Sequence, residues 1–270
     1  MRKLVLASAT ATLALASSAG CAANNAAEPR SSSSPIVAPS ISAASAGPAA
    51  SADPAATAAL GRATAALGTQ SFTMTVTAGT GFALTALIDP PTGKGTAELT
   101  ASGPSTEVTV KSLLIGQDLY AQIPGITRDG TWTHLDMSRL PEGANIGLRP
   151  GRIDPVDTAN LLASTTDVKA TGADTYAGTV DLTKAAGIAG LDRVTIDGYG
   201  AAAQHIPFVA AVDDQGRLAT LTLEPPAVQG NQIVPITAKY TDYGRPVAAE
   251  KPAATEIIEA PEDVYQVLGG

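Results

Sequence analysis

Few residues in this chain could do chemistry. In 270 residues it holds two histidines, His134 and His205, and one cysteine, Cys21. Neither histidine lies near a serine in a Gly-x-Ser-x-Gly elbow, and no His-Glu-x-x-His or phosphate-loop pattern occurs. One cysteine rules out a disulfide framework and a Cys-rich zinc site, and two histidines leave little for a metal cluster. Each histidine reads as a structural, hydrogen-bonded side chain. Asp213-Asp214 precede Gln215-Gly216, where carboxylates form turns, and Gly79-Thr80-Gly81 turns one strand into the next with no phosphate to hold. Trp132 suits core or rim packing, or the mouth of a ligand site. With no set of acid, base and nucleophile, the expectation is a protein that is not an enzyme, with no catalytic residue, no metal site and no cofactor.

Cys21 is a different case. Met1-Arg2-Lys3 is a short cationic start, and Leu4 to Ala16 is an uncharged apolar run too short for a spanning helix. Small residues then lead to Ser18-Ala19-Gly20-Cys21, which resembles the end of a bacterial lipobox, with Ser18 where that pattern usually has Leu. The resemblance implies cleavage after residue 20 and acylation of Cys21 by palmitate-type chains. The plainer reading is an ordinary signal peptide followed by an incidental cysteine. Each buried acyl CH₂ contributes about 0.8 kcal/mol, so two or more chains hold a protein on a membrane.

The charge balance narrows the partners. Lys+Arg 17 against Asp+Glu 25 gives −8, and removal of Arg2 and Lys3 with the signal deepens this to −10. Such a chain presents no basic face to a phosphate backbone, so nucleic acid is not an expected partner. From Ala22 to Pro54 the sequence is Ala, Ser, Pro and Asn with no aromatic residue. It cannot bury enough surface to offset its ordering entropy, and a disordered tether is expected. The expected organisation is a signal peptide (1–20), a lipidated Cys and tether (21–55), and one domain (56–270).

The elements of that domain follow from periodicity. Ala56 to Leu67 suits one short helix, ended at Gly68. The period then becomes two: Phe72, Met74 and Val76 alternate with threonines, and Val108 and Val110 alternate with Glu107, Thr109 and Lys111. Short Gly- and Pro-containing loops separate strands over Phe82–Asp89, Gly95–Ser102, Thr106–Ile115, Leu119–Ile123 and Trp132–Leu135, as in an antiparallel meander. Asp154 as N-cap with Pro155 at the first helical position predicts a helix to Ala163. Further strands are expected over Asp167–Thr171, Thr175–Leu182, Pro207–Val212, Arg217–Glu224 and Gln232–Tyr243. A short helix is expected at Lys184–Ile188, and a helical turn or two near Val264. The predicted class is α+β, a large curved antiparallel sheet forming a half-barrel, with helices covering its concave face.

Several stretches together resemble the actinobacterial envelope lipoproteins of the LppX/LprAFG family, which have the LolA-like half-barrel fold. They are the signal with Cys21, Trp132-Thr133-His134-Leu135-Asp136, Asp154-Pro155 with Leu161-Leu162, and Tyr176 to Leu182. Pro207 to Asp213 with Gly216-Arg217, and Ile236 to Gly244 followed by Pro246-Val247, complete the set. Where Phe208 or Val209 stands, that family commonly has a Trp. The resemblance implies a carrier holding acyl chains between sheet and helices, for lipid transport or retention, with a lipid or glycolipid as partner. It places the protein on the extracytoplasmic face of the cell membrane, anchored through Cys21. An aromatic content of 4% suits an underfilled interior, and it equally suits a packed, Ala-rich core. The candidate cavity positions are Met74, Val76, Phe82, Leu84, Val108, Val110, Leu119, Val209 and Leu221. An error of one residue in strand parity would move a strand's whole set to the other face. The rival expectation is an envelope interaction or sensory module that contacts another envelope protein and has no lipid ligand.

Overall fold

A computed structural model of the protein describes residues 52–103, 106–140, 148, 153–165, 167–184, 193–227 and 234–269, all within one compact unit, Gly47–Gly270. The expected signal, Cys21 and most of the tether lie outside the described residues. Helix α1 spans Pro54–Ala65, and a 3-10 turn carries it on to Gly68. The Asp53 carboxylate accepts from the Ala55 amide at 2.9 Å, and Pro54 opens the helix where its missing N–H costs nothing. Ala56, Leu60 and Ala63 form the buried stripe of α1.

Twelve strands form one sheet. They are β1 (Phe72–Ala78), β2 (Phe82–Asp89), β3 (Lys94–Ser102), β4 (Glu107–Ile115), β5 (Asp118–Gln122), β6 (Trp132–Asp136), β7 (Lys169–Ala170), β8 (Thr175–Val180), β9 (Ile206–Val212), β10 (Leu218–Leu223), β11 (Ile236–Thr241) and β12 (Ile257–Glu259). Their spatial order is β12-β6-β5-β4-β3-β2-β1-β11-β10-β9-β8-β7. All neighbours are antiparallel except β12, which lies parallel to β6. The sheet is open, and its two edges are its shortest strands, which limits pairing with other chains. Tight turns link the meander. Gly116, at φ 63°, turns β4 into β5, and Gly216, at φ 72°, closes the hairpin from β9 to β10; both need a backbone that side-chain-bearing residues resist.

The helices α2 (Thr158–Ala163), α3 (Arg193–Gly198) and α4 (Glu262–Gly269) join α1 in covering one face of the sheet. That inner face carries the main core. Phe72, Met74 and Val76 of β1, Leu84, Ala86 and Ile88 of β2, and Ile236, Ala238 and Tyr240 of β11 are buried against Leu60 of α1 and Leu161 of α2. Burying each such Leu, Ile or Phe contributes about 1.5–3 kcal/mol. On the outer face a smaller cluster joins Leu113, Tyr120 and Trp132 to Val247 and Ala249, so the segment between β11 and β12 lies across the sheet as a strap.

Two local expectations change, and a third falls mostly outside the described residues. The helix expected from Pro155 starts at Thr158. Asp154 closes a turn first: its carboxylate accepts from the Val156 and Thr158 amides at 2.9 and 3.0 Å, and its carbonyl accepts from Asp157. Asp157 then sits at φ 53°, a left-handed conformation that cannot lie inside a right-handed helix. Strand β11 is shorter than Gln232–Tyr243, because Asp242, at φ 53°, turns the chain away after Thr241; residues 228–233 lie outside the described residues. At Leu182–Lys184 there is one 3-10 turn, and the rest of the expected helix there lies outside the described residues. Strand β12 and helix α3 carry no periodic signal in the sequence and were not expected.

Candidate ligand-binding face

Register decides which side chains share the inner face. Met74 pairs across to Ala86 and Tyr240, Val76 to Leu84 and Ala238, and Leu84 to Leu99. Leu99 pairs with Val110 and Ala101 with Val108, while Leu221 opposes Ala238 and Ala210. Met74, Val76, Phe82, Leu84, Val108, Val110, Leu119 and Leu221 therefore all stand on the helix-covered side. Val209 does not. It is 45% exposed on the outer face, and its neighbours Phe208 and Ala210 are the buried residues of β9. The strand begins at Ile206, not Pro207, and the alternation counts from that buried residue.

Burial along the inner face is graded. At one end of the strands Phe72, Ile88, Leu114 and Leu135 are closed off from solvent. Towards the other end, Phe82, Leu99, Val108, Val110 and Ile123 are only half-buried. These five come from β2, β3, β4 and the end of β5, and they form an apolar margin that the described helices leave partly open. Leu99 and Ile123 were missing from the sequence-based set. The signal for Leu99 was the alternation of Ala97, Leu99 and Ala101 with Thr96, Glu98 and Thr100. Next to this margin, Thr133 of β6 faces inward beside Ala121. Its hydroxyl is buried and has no hydrogen-bond partner, which is costly for a polar group unless something else meets it.

The remaining candidates sit elsewhere. Trp132 belongs to the outer face, where it borders a groove of about 540 Å³ between Leu87, Thr96 and Lys111 on the sheet and Ala248 and Glu250 on the strap. His134 is on the same face, its ring between Glu259 and Asp118. His205 is exposed at the start of β9, and seven strands separate it from His134 in the sheet order. Asp213 organises its hairpin: its carboxylate accepts from the Gln215 and Arg217 amides and from the Arg217 guanidinium. Burial works against this ionised carboxylate, but those bonds outweigh it and hold its pKa below the usual value. Arg217 also lies over the Tyr243 ring at 4.6 Å. Gly79 and Gly81 flank a plain turn between β1 and β2.

Among the described residues no group of three or more His, Cys, Asp or Glu side chains is placed to hold a metal ion, and no helix is long and apolar enough to cross a membrane. No family model matches the chain, and no curated protein matches it.

Proposed function

We propose that this chain is an envelope lipoprotein of the LppX/LprAFG type, anchored to the outer face of the cell membrane through Cys21, and that its half-barrel binds a lipid or lipidated molecule. The supporting observation is the graded inner face. A continuous apolar layer runs from a sealed end to a half-exposed margin at Phe82, Leu99, Val108 and Val110. Acyl chains are recognised by apolar surface with few polar groups, and a margin open to one side admits them without unfolding. The unpaired Thr133 hydroxyl adds a polar contact suited to a carbonyl or hydroxyl of the ligand.

The test is direct. Mature protein purified without detergent is extracted and its lipids identified by mass spectrometry, and lipid-free protein is then offered labelled vesicles. Stoichiometric lipid and removal of lipid from the vesicles support the reading. Lipid-free protein that takes up none sinks it. In that event the outer groove between the sheet and the strap favours the second reading, an interaction or regulatory module for another envelope protein.

A further inference from the structure

We propose that His134 is the charge of a pH-operated clasp: its imidazolium ties the edge strand β12, through Glu259, to Asp118 on β5, and loss of its proton frees β12 from β6 while α4 stays docked. The proposal stands independently of what the inner face binds. Its basis is the geometry at both ring nitrogens. Nδ1 lies 2.9 Å from Glu259 Oε2 and 3.1 Å from Oε1, and Nε2 lies 2.9 Å from Asp118 Oδ1. A neutral imidazole has one N–H, so one carboxylate would then face a ring lone pair. Only the cation donates to both.

Among the described residues, several charged or titratable groups face the ring. Asp118 and Tyr120 face it from β5, with the tyrosine ring centroid 5.1 Å away, and Glu259 faces it from β12. Asp136 on its own strand interacts with it electrostatically. From the strap, the Lys251 ammonium lies 5.9 Å from the Tyr120 ring centroid. The carboxylates of Glu259, Asp118 and Asp136 favour the imidazolium. Burial pulls in the other direction, but the hydrogen bonds to Glu259 and Asp118 prevail, and the His134 pKa is raised above 6.5. A raised folded-state pKa gives a contribution fully present below 6.5 and lost as pH rises through the raised value. The clasp is closed in mild acid and opens on the alkaline side.

Besides the clasp, β12 is held by its short parallel ladder to β6 and by Ile257 against the outer cluster of Leu113, Tyr120 and Trp132. It has three residues; Ile257 and Ile258 are half-buried and Glu259 is exposed. The Ala260 amide donates to the His134 carbonyl at 2.9 Å. Helix α4 is held quite differently. Val264 and Tyr265 are buried, the Asp136 amide donates to the Tyr265 hydroxyl at 2.8 Å, and Arg139 pairs with Glu262 and lies 3.9 Å over the Tyr265 ring. None of these contacts involves a histidine. Opening is therefore local, and it bares the β6 edge beside Trp132, which Ile257 pairs with.

Hydrogen exchange on the full mature chain, corrected for intrinsic rates, tests this between about pH 5.5 and 8.5. The expected result is a several-fold fall in protection at Ala260, bounded by about tenfold per pH unit for one proton, with α4 unchanged. His134→Gln, whose amide donates on one side and accepts on the other, is expected to abolish the slope. A slope that persists in that variant, a flat wild-type profile, or a parallel fall in α4 would each overturn the proposal. As a second measurement, NMR titration of His134 in Glu259→Gln is expected to give a lower midpoint than in the wild type. An unchanged midpoint would also overturn it.

Discussion

The hydroxyls of Thr158 and Tyr240 meet at 2.7 Å inside the protein, joining the first residue of α2 to the central strand β11. The Thr158 amide also donates to the buried Asp154 carboxylate at 3.0 Å, so the start of α2 and the strand share one polar network. Burial, with the Asp154 charge behind it, keeps the Tyr240 hydroxyl protonated far above the usual tyrosine range. Tyr240→Phe removes this buried bond and is expected to cost about 1–2 kcal/mol. Urea unfolding measures it. A loss no larger than that of Tyr199→Phe, whose ring is only half-buried, would mean the bond does not tie the helix to the sheet.

The same network sets an acid-side pH dependence. Burial raises the Asp154 pKa above 3.8, and hydrogen bonds from Thr158 and the Val156 amide only partly oppose it. A carboxyl raised in the folded state binds its proton more tightly there, so its contribution is complete below 3.8 and is lost as pH rises through the raised value. Asp154→Asn removes this component. Subtracting the variant's urea midpoints from those of the wild type at each pH is expected to leave a difference that falls with rising pH. A difference that rises instead would place an effectively exposed, ion-paired carboxylate at Asp154.

Two glycines give the same substitution opposite signs. A Cβ on Gly178 would stand 2.9 Å from Phe208 Cε1 and 3.0 Å from the Asp167 carboxylate, whose other contacts are the Thr179 amide and hydroxyl. Gly178→Ala is expected to destabilise by about 1–3 kcal/mol. Gly61 lies on the exposed side of α1 with nothing within 4 Å of a built Cβ, and Gly61→Ala is expected to stabilise by about 0.5–1 kcal/mol. Thermal melts of the pair read both signs, and equal shifts would contradict the packing at β8 and β9.

The proposed binding face is tested by parity. Phe82→Glu and Val110→Glu place a carboxylate on the half-exposed inner margin and are expected to reduce lipid uptake at least tenfold, with circular dichroism unchanged. Val209→Glu, on the outer face, is expected to leave uptake as it was. Uptake that tracked Val209 and ignored the margin would move the site to the outer side.

Much of the fold was legible because the sheet is amphipathic. Alternation at Phe72-Met74-Val76 and Val108-Val110 named the inner face, and loops such as Asp89 to Gly93 and Asp213 to Gly216 marked the strand ends. Parity failed on β9, where Ile206 to Val212 is apolar at nearly every position and alternation carries no signal. Asp154-Pro155 misled for a local reason: the helix-start pattern is real, but the left-handed Asp157 intervenes. The clasp was hidden because its parts are far apart in sequence. Glu259 reaches His134 across 125 residues, and a three-residue parallel strand has too few positions to show a period. The half-open margin was partly visible, since Phe82, Val108 and Val110 were named for their parity, but which end stays open depends on where the helices lie.

Strand β1 sits in the middle of the sheet, with β2 on one side and β11 on the other. Its first neighbour follows within a few residues, while its second is separated from it by most of the domain. A chain that emerges from its N-terminus can complete β1 to β6 early and then waits, with one edge of β1 unpaired, until Ile236–Thr241 arrives. An open edge at the centre of a sheet is a hazard for aggregation, so folding during synthesis calls for something to shield the early half until the last strands emerge.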